Sequence, residues 1–163
     1  VSYPTIPKTL QVLDRILSVL AAISPVNGYF YPVGTDNVLR GLKGWDEITD
    51  FPFDMGYLGP EHQDPEFEMD GIVKKFPTYY IEGYANAESE EDSITRIVKH
   101  LADVQKAINA DTQPGAGAGS LGVLAHYCRI GRAEMDNGIL AGEGKAAFRL
   151  TVNACVSGAW GEL

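Results

Sequence analysis

Basic charge is scarce: 13 Lys and Arg residues stand against 22 Asp and Glu, a formal balance of −9. Gripping a nucleic-acid backbone takes clustered cations that displace its counterions, so this balance argues against tight DNA or RNA recognition. It argues equally against an anionic membrane face. Cysteine is scarcer still. Cys128 and Cys155 are too few for a disulfide scaffold or a four-thiolate metal centre. They suit a reducing compartment, where thiols act as small apolar groups. The longest apolar run, Val19–Ile23, falls far short of the ~20 residues that span a bilayer. A secretory leader pattern is missing from the first residues, which leads us to expect a protein that is not secreted. The sequence also lacks a G-x-S-x-G elbow and an H-E-x-x-H helix.

What remains is ordinary globular material. The 163 residues are 45% hydrophobic and 21% charged, enough for one domain (residues 1–163) with a core that needs no covalent staple. Apolar residues at Ile6, Leu10, Leu13, Leu17 and Leu20, with a second row at Val12, Ile16, Val19 and Ile23, predict a helix over Ile6–Ile23. Thr5 is its expected N-cap, Pro7 falls in its first turn, and Ser24-Pro25 stops it. A second helix follows Glu88, Glu90, Glu91 and Asp92, whose charge suits a helix start, and continues through Ile94, Ile97, Val98, Leu101, Val104 and Ile108.

Strands are expected at Phe51–Leu58, where Phe51, Phe53, Met55 and Tyr57 alternate with Pro52, Asp54 and Gly56, and at Phe76–Ala85. Pro52 suggests that the first of these is an edge strand. Two more are expected at Leu121–Gly131 and Lys145–Val156, joined through an Asn137-Gly138 turn. A short strand over Gly28–Val33 is a weaker expectation. Residues 27–50 read as a long aromatic-rich arm that orders against a partner, residues 59–70 as an acidic loop, and Asn109–Ser120 as a flexible linker. The fold class is therefore α+β: a single mostly antiparallel β-sheet with two helices packed on one face, in the order helix, strands, helix, strands.

Chemistry is hard to find. Gly117-Ala-Gly119-Ser-Leu-Gly122 matches a dinucleotide fingerprint in letters. That mechanism needs a strand before the glycines and a helix after them, and here the order is reversed. Glu61, His62, Asp64, Glu66, Glu68 and Asp70 could gather a hard cation, but their spacing does not fit a calcium loop, and a solvated acidic segment is the simpler reading. His62, His100 and His126 are dispersed. His126 and Cys128 lie two apart on one strand, yet no third group orients them. We therefore expect no enzyme, no catalytic residue, no metal and no cofactor.

The aromatic residues say more. Tyr29, Phe30, Tyr31, Trp45, Tyr79, Tyr80, Tyr84 and Trp160 are more large rings than one face of a small sheet needs. Such side chains are enriched where proteins meet. Tyr29, Phe30, Tyr31, Trp45, Tyr79, Tyr80 and Tyr84 are accordingly the expected subunit-interface residues.

The order of these segments resembles the tail terminator (tail-completion) proteins of long-tailed bacteriophages. The likeness is carried by the apolar helix Leu10–Ile23, the strand Phe51–Tyr57, the strand Phe76–Tyr84, the helix Ile94–Ile108 and the closing strand Ala146–Val156. The resemblance implies a structural virion protein: a homo-oligomeric, hexameric ring at the head-proximal end of the tail tube. Such a ring ends tube polymerisation and offers a docking face to the neck or head connector. The implied partners are further copies of the chain, the tail tube protein and the neck/head connector protein, with no membrane. DNA would pass through without specific binding, past Glu61, Asp64, Glu66, Glu68 and Asp70 as lumen-facing acids. The implied location is the tail or neck of the virion, and the host cytoplasm during assembly. A head-completion or neck connector protein is the alternative, ahead of a small enzyme or ligand-binding domain.

Overall fold

A computed structural model describes residues 6–67, 71–111, 124–136, 144–159 and 163. Helix α1 spans Lys8–Ala21 and buries Val12, Leu13, Ile16, Leu17 and Leu20 along one stripe. It starts two residues later than its apolar pattern suggests, because Pro7 takes the N-cap position and its carbonyl receives the amides of Leu10 and Gln11. Ile6 is left exposed. The expected cap Thr5 lies outside the described residues.

The arm is folded onto its own chain. The expected strand over Gly28–Val33 does not form; short 3-10 turns at Pro25–Asn27, Thr35–Asn37 and Trp45–Glu47 punctuate the segment instead. Between them, strand β1 (Val38–Arg40) pairs in parallel with strand β2 (Phe53–Phe67). That addition turns β2 into an interior strand over its first residues, so Pro52 does not mark an edge. It stands just ahead of the strand, where its missing N–H removes no ladder bond.

β2 also runs far past Leu58, and the segment expected to be an acidic loop is a strand as far as Phe67. It pairs antiparallel with β3 (Ile72–Asn86), with register shifts between Leu58 and His62 and between Gln63 and Glu66. Pro60 and Pro65 fall within those two irregular stretches, where a residue without an N–H is tolerated.

Helix α2 spans Glu90–Ala110. Its N-cap is Ser89, whose hydroxyl accepts from the Asp92 amide at 3.1 Å while the Asp92 carboxylate accepts from the Glu88 amide at 3.0 Å. This reciprocal cap satisfies two amides that a helix start would otherwise leave open. Strand β4 (Tyr127–Met135) begins later and ends later than its apolar pattern suggests, and takes in Glu134 and Met135. The Asn137-Gly138 turn lies outside the described residues, as does the glycine-rich stretch 117–122. Strand β5 (Lys145–Ala159) completes a sheet whose strands among the described residues run in the order β1-β2-β3-β5-β4, antiparallel apart from β1 with β2.

Both helices cover one face. Tyr79, Ile81, Phe148, Leu150 and Val152 from the sheet form one core with the inner stripes of α1 and α2. Two glycines make room for it. A Cβ at Gly56 would stand 2.8 Å from the Leu17 side chain, and one at Gly83 would stand 2.2 Å from the Phe148 ring. Arg15 of α1 closes the helix pair by gripping the carboxylate of Asp111, just past the end of α2, through two hydrogen bonds. Among the described residues, no helix is long and apolar enough to cross a membrane.

The arm wraps from the helix side round the β1 edge to the opposite face. There Ile48 makes a second, smaller core with Phe53, Met55 and Tyr84, flanked by Leu39, Phe51 and Ala147.

Candidate interaction surface

Strand periodicity divides the side chains of β3 and β5 cleanly. Odd residues of β3 and even residues of β5 point to the helices, so Thr78, Tyr80 and Glu82, with Arg149, Thr151 and Asn153, populate the other face. Beyond the part that the arm covers, this face is open among the described residues. Tyr57 of β2 and Tyr127, Arg129 and Glu134 of β4 join it through their register.

Glu82 organises the open face. Its carboxylate accepts from the Tyr57 hydroxyl at 2.9 Å, the Tyr84 hydroxyl at 3.3 Å, and the Arg149 guanidinium at 3.0 and 2.8 Å. Burial, reinforced by the hydrogen bond to Glu82, pushes the Tyr57 hydroxyl up to about 12. Burial and the Glu82 charge do the same for Tyr84. The Arg149 guanidinium is held above its ordinary value, first by its hydrogen bond to Glu82. These groups therefore keep fixed charge states at neutral pH. Arg149 also stands over the Tyr80 ring at 5.6 Å, and Tyr80 tilts against Tyr57 at 5.6 Å. At the β4 side Arg129 lies over Tyr127 at 4.6 Å. An arginine locked by a carboxylate and laid on a tyrosine loses little freedom when something docks on it, and Tyr and Arg are the residues that dominate protein contacts.

Two depressions lie on this face. One of about 360 Å³ is lined by Tyr80, Arg132, Glu134, Arg149 and Thr151, and a neighbouring one of about 320 Å³ by Glu82, Tyr84 and Glu134 among others. Their walls are charged, unlike the apolar clefts that usually hold small ligands.

The aromatic interface candidates divide. Tyr79 is fully buried, with its hydroxyl donating to the Thr9 carbonyl at 2.7 Å, and Tyr84 is buried under the arm. Both belong to the interior of one subunit and cannot carry a contact between subunits, which corrects the expectation for these two. Phe30 and Trp45 are exposed, at 58% and 41%, and Tyr29, Tyr31 and Tyr80 are half-buried. Trp160 lies outside the described residues.

The arm aromatics sit on a receptor built by α2. Buried Asp103 accepts from the Phe30 amide at 2.9 Å and the Tyr31 amide at 3.0 Å. Lys99 stands 5.5 Å over the Phe30 ring and Lys106 stands 4.7 Å over Tyr29, while Lys106 also donates to the Gly28 carbonyl at 2.6 Å. Lys145 caps Trp45 at 5.2 Å in the same way. The expectation of an arm that waits for a partner before ordering is thus overturned: its own helix supplies the partners.

Of the acidic candidates, Glu61, Asp64 and Glu66 lie on β2 and Glu66 is exposed, while Glu68 and Asp70 fall outside the described residues. Among the described residues, no group of three or more His, Cys, Asp or Glu side chains is placed to hold one ion. The two members of the Cys–His candidate have different surroundings. Cys128 is buried and burial pushes its thiol up to about 12, which keeps it protonated, while the exposed His126 ring shares a 2.6 Å hydrogen bond with the Ser157 hydroxyl.

One polar pair escaped the sequence reading. His100 Nε2 lies 2.8 Å from Asp54 Oδ1, both side chains wholly buried between α2 and β2. Phe148 packs against the imidazole at 5.5 Å and Tyr31 approaches it edge-on at 6.5 Å. Sealed on these sides, the pair ties helix to sheet. Asp54 sits in the alternating pattern of β2 where an outward polar residue is expected, which concealed it.

No protein-family model matches this sequence, and a search of curated proteins gives no match.

Proposed function

We propose that this chain is a structural assembly protein of a phage tail: the subunit of a ring that caps the head-proximal end of the tail tube and presents a docking face to its neighbours. The observation that carries this reading is the open sheet face. Its Tyr57–Glu82–Arg149–Tyr80 network is fixed in advance, charged and aromatic, and spread over a broad surface. Such a surface suits a protein layer better than a metabolite. The family resemblance in element order supports the same role.

Within this reading the open face meets the tube or the connector. The test is mass measurement of the purified chain, alone and with cognate tail tubes. The ring reading expects a closed oligomer that binds tube ends, and a Tyr80→Ala/Arg149→Ala variant that still closes but binds tubes at least tenfold more weakly. A parent chain that ignores tubes would reject the reading. Tubes capped equally well by the variant would reject the open face as the docking site.

A further inference from the structure

All the charge on β4 and β5 stands on the open face. The two strands hold Arg129, Arg132, Lys145 and Arg149 against a single acid, Glu134, which leaves nine basic and 21 acidic residues to the rest of the chain. Two further carboxylates adjoin them. Glu82 of β3 is committed to Arg149, Tyr57 and Tyr84, and Asp136, one residue past β4, lines the neighbouring depression. Among the described residues this corner therefore holds four cations against three carboxylates, on a chain whose overall balance is −9.

A β-bulge places the central arginine. Ile130 opposes Val152 and Ala133 opposes Leu150, so β4 advances three residues where β5 advances two. The extra residue reverses the alternation of the strand. Without it, Arg132 would turn to the helices with Ile130. With it, Arg132 and Glu134 join Arg129 on the open side, and Arg132 lines the depression of about 360 Å³ with Tyr80, Glu134, Arg149 and Thr151. The other bulge residue is Gly131, where a Cβ would stand 3.1 Å from the Asn153 amide nitrogen.

The guanidinium groups around this depression have donors to spare. Arg149 spends Nε and Nη2 on Glu82, and among the described residues its Nη1 has no hydrogen-bond partner. Arg132 meets Glu134 at 3.2 Å, but the two side chains are 80% and 51% exposed. A pair so open to water contributes little, so an arriving carboxylate takes Arg132 from Glu134 at small cost. Planar guanidinium forks match a carboxylate through paired N–H bonds. A nucleic-acid backbone fits worse, because it would draw a row of negative charges past the acids of the remaining surface.

We propose that this depression receives a carboxylate side chain of the protein that docks on the open face, held between Arg132 and Arg149. This rests on the assembly reading and names the chemistry of its partner: a different protein with an acidic docking surface.

Titration of the full chain with an acetylated hexaglutamate peptide at low salt, followed through the arginine Nε–H signals, tests it. The signals of Arg132 and Arg149 should move, and Arg132→Ala should weaken binding at least tenfold. Glu134→Gln should tighten binding at least twofold by removing the internal competitor, an effect that damage to the fold would not produce. An oligothymidylate that moves the same signals at lower concentration would assign the site to phosphate and overturn the proposal. Shifts that grow with the concentration of the parent alone, and vanish in Arg132→Ala, would assign it to a second copy and overturn it equally. If the peptide leaves both arginine signals in place while the parent caps tail tubes, the carboxylate site is wrong and the assembly reading stands. If the peptide binds at these arginines and the parent ignores tubes, the site stands and the tail reading falls.

Discussion

Asp103 shows how one side chain can decide the course of a long segment. Its carboxylate takes the amides of Phe30 and Tyr31, so the arm leaves α1 and is pinned within a few residues. Hydrogen bonds to a charged acceptor contribute about 1.5–3 kcal/mol each, less when they share one carboxylate. Asp103→Ala should therefore cost about 2–3 kcal/mol of stability. It should also speed hydrogen exchange at Phe30 and Tyr31 well before the centre of α2 exchanges. Unchanged protection at those two amides would show that the arm is held by its rings alone.

Cys128 governs a pH effect at the same scale. Its thiol is raised by burial to about 12, against about 8.5 in an unfolded chain. Below the unfolded value both states hold the proton and the contribution is constant. Between the two values only the unfolded state releases it, so stability falls as pH rises, by up to about 1.4 kcal/mol per pH unit. Tyr57 and Tyr84, raised to about 12, add to the fall above the ordinary tyrosine value near 10. Denaturation midpoints should drop from about pH 9 upward, and Cys128→Val should flatten the first part of that decline. A parent midpoint that is level up to pH 10 would contradict the burial of this thiol.

At the scale of elements, the arm is the part that gives the fold its second core. Ile48 is almost wholly buried and is the arm's contribution to the cluster with Phe53, Met55 and Tyr84. Ile48→Ala should cost about 2–4 kcal/mol through lost burial and the cavity left behind. The loss should be accompanied by faster proteolysis between residues 40 and 50, with α1 and α2 retained by circular dichroism. Cleavage no faster than in the parent would mean that β1 pairing, rather than Ile48, holds the arm.

The same elements explain what could be read in advance. α1, α2 and β5 were legible because one face of each meets the core and the other meets water, so periodicity survives in Leu13, Ile16, Leu17 and Leu20 and in Phe148, Leu150 and Val152. The second half of β2 was not legible. Pro60, Pro65 and three acids mimic a loop, and the strand tolerates them because its pairing to β3 shifts register there. The aromatic candidates were read by type, but their exposure is set by strand parity and by the arm. Tyr79 turns inward and Tyr80 outward, while Tyr84 faces outward and is then covered by Ile48. The Glu82–Arg149 network joins residues 67 positions apart, and no local pattern announces such a pairing.

At the scale of the whole molecule, the described residues form a sheet with one face closed by both helices and the other closed only in part, by the arm. That arrangement leaves a charged and aromatic surface open among the described residues. The net charge of −9 opposes assembly at low ionic strength. Sedimentation of the purified chain across a wide concentration range tests the ring reading most directly. The account predicts one discrete closed oligomer that persists on dilution. A parent chain sedimenting as a monomer throughout would contradict it.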